Sequence, residues 1–190
     1  MVVQDTDAII VVDVQNDFCP GGALPVTDGH LVVAAINHII PKFHRAVYSR
    51  DWHPRDHCSF HEPPDYRDGS WPEHCVEDSP GAEFHGDLIV PMDALVVSKG
   101  MNRDKEAYSA FDGEPDLVEK LQGWGIQRLF VTGLATDYCV RATALDALGH
   151  GFDTYLVADG CRGVARETEE AAIEEMRAAG VHMVRSGDFE

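Results

Sequence analysis

Short runs of β-branched and apolar residues recur along this chain, and segments of helical spacing separate them. That alternation constrains the fold more than any other feature. The first run, residues 8–14, reads AIIVVDV. It is short and dense in Val and Ile, the pattern of a strand covered on both faces. Residues 30–40, HLVVAAINHII, place apolar side chains at helical spacing and meet Pro41. Further strands are predicted at 45–50 (RAVYSR), 94–98 (ALVVS), 128–132 (RLFVT) and 154–158 (TYLVA), and 181–184 can form a last one. Helices are predicted at 115–123, which ends in glycine, at 137–149, and at 167–179, which has an acidic first turn. Alternating strands and helices imply an α/β fold, with a parallel sheet covered on both faces. In such folds ligands sit outside the carboxyl ends of the strands.

The chain has 190 residues, a length that suits a single domain over 1–190. No apolar run reaches the ~18 residues of a membrane span. The first ten residues carry two acids and no base, which does not suit a secretory signal. The net charge is −18, with lysines only at 42, 99, 105 and 120. Such a surface repels phosphate backbones, so neither nucleic acid nor membrane is an expected partner. Five widely spaced cysteines form no even disulfide framework, and this points to a reducing, cytoplasmic setting.

Residues 51–91 form a long irregular loop rich in Pro, Gly, Asp and His, and loops of that length are usually functional. Its stretch DWHPRDHCSFHEPPDYRDGSWPEHC holds four histidines and two cysteines. A structural zinc clamp would use four ligands, whereas a catalytic site keeps a position open. Cys58 and Cys75 lack the short spacing of thiolate zinc sites, and His61 and His85 read as solvated loop residues.

Three strand ends carry polar residues. Asp13 closes the first run, where a buried acid is costly without a partner. Read singly, it is equally a loop cap. Lys99 closes the third run and alone reads as an ordinary solvated lysine. The fourth run leads into GLATDYCV, where Thr136 or Asp137 can cap the next helix. Cys139 then falls in that helix's first turn, where the thiolate is favoured. Alone it reads as a small packed thiol. Together, Asp13, Lys99 and Cys139 would meet at one sheet edge. Their chemistry is that of a nucleophilic acyl-transfer site, with an acid as base, an ammonium beside the thiol and peptide N–H groups for an oxyanion.

The segments VDVQNDFCPGGAL, SRDWHPRDHCSF, GSWPEHCV, SKG, AYSAF and TGLATDYCV span almost the whole chain. In them the sequence resembles the nicotinamidases of the isochorismatase-like hydrolase superfamily. The resemblance implies a three-layer α/β/α sandwich around a six-stranded parallel sheet. It implies hydrolysis of nicotinamide to nicotinate and ammonia in NAD salvage, and it allows a homo-oligomer. Asp13, Lys99 and Cys139 match the catalytic triad. Asp51, His53 and His74 match the ligands of one divalent ion, Zn, Fe or Mn. His57 stands where some members place a further ligand and others use another residue or water. Phe18, Leu24, Trp71, Tyr108, Leu134 and Ala135 match the substrate pocket. A cis peptide is implied between Leu134 and Ala135, with the Ala135 and Cys139 N–H groups forming the oxyanion hole. The segment MNRDKE, between SKG and AYSAF, departs from the pattern at the pocket's lid.

Two rivals remain. Another amidohydrolase of the superfamily, acting on a carbamoyl or ureido compound, would share the triad but need no pyridine-binding metal. A zinc-binding interaction module on the 51–75 stretch would leave Asp13, Lys99 and Cys139 unexplained. A tolerant pocket would also accept pyrazinamide, whose ring nitrogen and carboxamide are similarly placed.

Overall fold

Every residue of β1 (Asp7–Val12) is buried, and its successive side chains enter opposite layers. Ala8, Ile10 and Val12 pack with Val47, Val97, Leu129 and Val131 on one face, beneath residues of α2 (Leu117–Gly123), α3 (Arg141–Gly149) and α4 (Arg166–Ala179). Ile9 and Val11 pack with Tyr48 and Phe130 on the other, against α1 (Val32–Ile39). Each fully buried Ile or Val side chain contributes about 1.5–3 kcal/mol. The computed structural model describes residues 1–66 and 69–190. The sheet adds β2 (Ala46–Asp51), β3 (Leu95–Lys99), β4 (Arg128–Leu134), β5 (Asp153–Arg162) and β6 (His182–Val184). Its order is β3-β2-β1-β4-β5-β6, parallel throughout, so the fold is the expected α/β/α sandwich.

The chain runs outward from β1 through β2 to β3. It then returns to the other side of β1 and runs outward again through β4, β5 and β6. Connections therefore diverge between β1 and β4, and the crevice at their carboxyl ends is the natural ligand site. Gly133, at φ +116°, lets the strands close there, since a Cβ on it would lie 2.1 Å from the Val12 carbonyl oxygen. No helix among the described residues is long and apolar enough to cross a membrane.

Several boundaries differ from the sequence reading. β1 stops at Val12, and Asp13 turns away in a left-handed conformation at φ 48°. β5 continues to Arg162, because the polar stretch ADGCR keeps pairing with β4 beyond a bulge. The helix expected over 137–149 begins as one π-helical turn, Thr136–Val140, and becomes α-helical at Arg141. Neither Thr136 nor Asp137 caps it; Ala135 is the N-cap residue. Thr136 Oγ1 instead donates to Glu169 Oε1 at 2.9 Å, and Asp137 accepts from the Val164 N–H at 3.0 Å. Both side chains thus tie the turn to the start of α4.

Candidate active site

Lys99 ends β3 and is completely enclosed. Its Nζ lies 2.9 Å from Asp13 Oδ2, 2.5 Å from Asp51 Oδ1 and 3.4 Å from Cys139 Sγ. It also donates to the Ala107 carbonyl at 3.2 Å. Asp13, Asp51 and Cys139 offer ligand atoms within 4.8 Å of one another, with the ammonium among them. Asp13 Oδ1 accepts from Ser49 Oγ at 2.7 Å. Asp13 Oδ2, although close to Nζ, has no hydrogen-bond partner, so a lone pair is left for a proton from the thiol.

Burial pushes the Asp13 carboxyl up, and Asp51 adds to this, while Lys99 opposes it; the net shift is upward. Burial would discharge Lys99, but Asp13 and Asp51 outweigh it and hold the ammonium charged. The thiol departs from expectation. Burial pushes Cys139 well above its ordinary value, and Lys99 only partly offsets this. Burial thus raises the proton affinity of both the thiol and the carboxyl that faces it.

Asp51 ends β2, and His53 and His74 lie on the loop that follows. Their ligand atoms lie within 4.8 Å of one another, all buried. His53 Nδ1 faces the Gly100 carbonyl at 3.0 Å, and His74 Nδ1 faces the Pro72 carbonyl at 2.7 Å. A carbonyl only accepts, so both Nδ1 atoms carry the proton and both Nε2 lone pairs are free for a metal. One carboxylate and two imidazoles suit a divalent ion and leave coordination positions open. His57 stands apart, although its ring lies against His53, with centroids 4.3 Å apart. Its Nε2 faces the Lys105 carbonyl at 3.2 Å, and its Nδ1 receives the Ser59 N–H at 3.3 Å, so neither lone pair is free. Cys58 is exposed and Cys75 is buried, both as free thiols outside the cluster.

Cys139 and the Asp51–His53–His74 group border one cavity of about 360 Å³. Phe18, Leu24, Trp71, Tyr108, Leu134 and Ala135 all line it, with Asp51, His53, His74 and Cys139. Trp71 Nε1 donates to the Tyr108 hydroxyl at 3.2 Å, and the Trp71 and Tyr138 rings meet edge to face at 5.2 Å. The Leu134–Ala135 peptide is cis. Glu106, from the divergent MNRDKE segment, also borders the cavity.

Some contributors escaped the sequence reading. The Gln15 side chain brackets Asp51, accepting its N–H and donating to its carbonyl, each at 2.8 Å. A polar residue in VDVQNDF was a visible signal. Gly100, at φ +67°, presses against His53, and a Cβ there would lie 2.3 Å from the imidazole Cε1. Gly100→Ala is expected to displace His53 and weaken binding of a divalent metal about 10–100-fold, the range seen when support of a metal ligand is lost. Competition with a chromophoric chelator measures this.

The Isochorismatase domain family matches residues 7–188. The chain belongs to the isochorismatase family. Within it, the chain is 43% identical over 188 residues to the nicotinamidase/pyrazinamidase of Mycobacterium tuberculosis, covering 94% of this chain and 98% of that one. The pyrazinamidase of Pyrococcus horikoshii, solved in complex with zinc, superposes with a TM-score of 0.87 at 49% identity, over 95% of this chain and 99% of that one. PnC1 from L. infantum, solved in complex with nicotinate, superposes with a TM-score of 0.91 at 36% identity, over 100% and 98%.

Proposed function

We propose that this protein is a nicotinamidase that hydrolyses nicotinamide to nicotinate and ammonia, with residues 1–190 acting as one hydrolase domain. The observation that carries the reading is the shared cavity: Cys139, backed by Asp13 and Lys99, and the Asp51–His53–His74 group border one aromatic-lined space. The relatives named nicotinamidase or pyrazinamidase support the substrate, and the zinc-bound relative supports zinc as the metal.

Asp13 takes the Cys139 proton as sulfur attacks the carboxamide carbon. The N–H groups of Ala135 and Cys139 receive the oxyanion. Asp13 returns the proton to the leaving nitrogen, the C–N bond breaks, and ammonia departs from a thioester. Water then attacks this thioester and gives a proton to Asp13, and the C–S bond breaks. Asp13 passes that proton to the Cys139 sulfur and is restored as a carboxylate, and the product acid gives its remaining proton to solvent and leaves as nicotinate. Lys99 keeps its positive charge throughout and stabilises the ionised pair. A divalent ion on Asp51, His53 and His74 would supply a Lewis-acid site for the pyridine nitrogen. Trp71, Phe18 and Tyr108 wall the ring and direct the carboxamide towards sulfur.

Ammonia release from nicotinamide, pyrazinamide and a panel of carbamoyl and ureido compounds tests the reading. Nicotinamide should be preferred, and chelation should raise its KM more than about tenfold, or 1.4 kcal/mol. Preference for a ureido compound, or a metal-free enzyme with undiminished kcat/KM, would overturn it.

A further inference from the structure

Asp17 lies outside both groups, yet two segments around the site converge on its carboxylate and a third meets its backbone. Oδ2 accepts the Cys75 N–H at 2.8 Å, and Oδ1 accepts the Ala23 N–H at 3.1 Å. The Asp17 carbonyl accepts the Leu24 N–H at 3.0 Å, and its own N–H donates to Gly81 at 3.0 Å. Cys75 is the residue after His74, and its carbonyl accepts the His53 N–H at 3.0 Å. One residue, Cys75, therefore links the two imidazoles, following His74 in the chain and accepting the His53 N–H, and Asp17 holds its N–H. Phe18 and Leu24, on the same short loop as Asp17, line the same cavity, and the Phe18 ring centroid lies 5.5 Å from that of His74. Cys75 sits at φ 44°, a conformation uncommon for a side-chain-bearing residue, and the bond to Asp17 helps fix it.

We propose that Asp17 is a positioning residue that sets the distance between the His53–His74 pair and the Phe18–Leu24 wall, and so couples metal affinity to substrate binding. The inference rests on the nicotinamidase reading of the cavity. Both carboxylate oxygens act as acceptors for peptide N–H groups. Asparagine keeps the shape but turns an NH2 against one of those donors. Alanine removes both acceptors. Gly81 offers a second route, because a Cβ on it would lie 2.1 Å from Asp17 Oδ2 and push the carboxylate aside without changing it.

The test compares the parent with Asp17→Asn, Asp17→Ala and Gly81→Ala, each stripped and reloaded with zinc. Zinc dissociation constants come from chelator competition, and KM and kcat for nicotinamide are measured at saturating zinc. The expected signature is zinc binding weakened about 10–100-fold, KM raised at least about fivefold, and kcat within about threefold of the parent. A merely structural role would lower the melting temperature and leave the zinc constant and KM in place. That pattern, in whichever of the three variants folds, overturns the proposal. So does a loss confined to kcat. A parent that binds no zinc or spares nicotinamide sinks the functional reading, whereas a normal parent with unaltered variants sinks only the role of Asp17.

Discussion

Cys139→Ala is expected to lower kcat for amide hydrolysis by at least about 10⁴-fold, the scale on which removal of a covalent nucleophile is felt. The loss should be this large because, among the described residues, no other thiol or hydroxyl meets both the base and the ammonium. Cys139 Sγ lies 3.4 Å from Lys99 Nζ and within 4.8 Å of a ligand atom of Asp13. The fold should survive, since the change removes one sulfur from a buried position and costs on the order of 1 kcal/mol. Two measurements together decide the matter. Ammonia release should vanish while the melting curve and divalent-metal affinity stay near those of the parent. Turnover at the parent's rate would end the thioester mechanism.

Lys99→Met should be the most destabilising single change in the site. The ammonium separates the buried carboxylates of Asp13 and Asp51, at 2.9 Å and 2.5 Å. Removing one member of such a group leaves the others buried and uncompensated, at about 3–5 kcal/mol. In a chain of this length that corresponds to a fall of roughly 6–20 °C in melting temperature. Activity should fall too, because nothing then opposes the negative charge that accumulates on sulfur. Urea unfolding compares the two proteins. A variant within about 1 kcal/mol of the parent would mean that the carboxylates are not held apart by Lys99.

The strands were legible because each carries a short apolar run where it crosses the core. Asp13, Lys99 and Cys139 were legible because they interrupt or end such runs. The loop after β2 obeys no periodicity. His57 is four residues from His53, and His74 is twenty-one residues away, yet His74 joins the cluster. Backbone bonds between His53 and Cys75 fold the loop back, while Ser59 and Lys105 occupy the His57 ring. Sequence spacing holds no record of those bonds. The thiol's surroundings were half legible: a helix start can be recognised in sequence, but the depth of burial that pushes the Cys139 thiol up cannot. Asp7 gives the converse case. It is as buried as Asp13, at the other end of β1, but Arg128 grips both its oxygens, at 2.7 Å and 2.5 Å, which makes it a structural acid.

Asp51 faces two ways. Its Oδ1 meets Lys99, and its Oδ2 lies 3.6 Å from His53 Nε2 on the metal side. Asp13, Asp51 and Cys139 form a cation-binding set in their own right, and the lysine head sits inside it. The cleft floor is thus a two-cation centre with one shared carboxylate, in which one cation is exchangeable and the other is tethered to a strand. A chelator can empty the half facing the aromatic wall, but the half facing sulfur keeps its charge. Metal-free enzyme should therefore lose its grip on substrate while its nucleophile remains assembled.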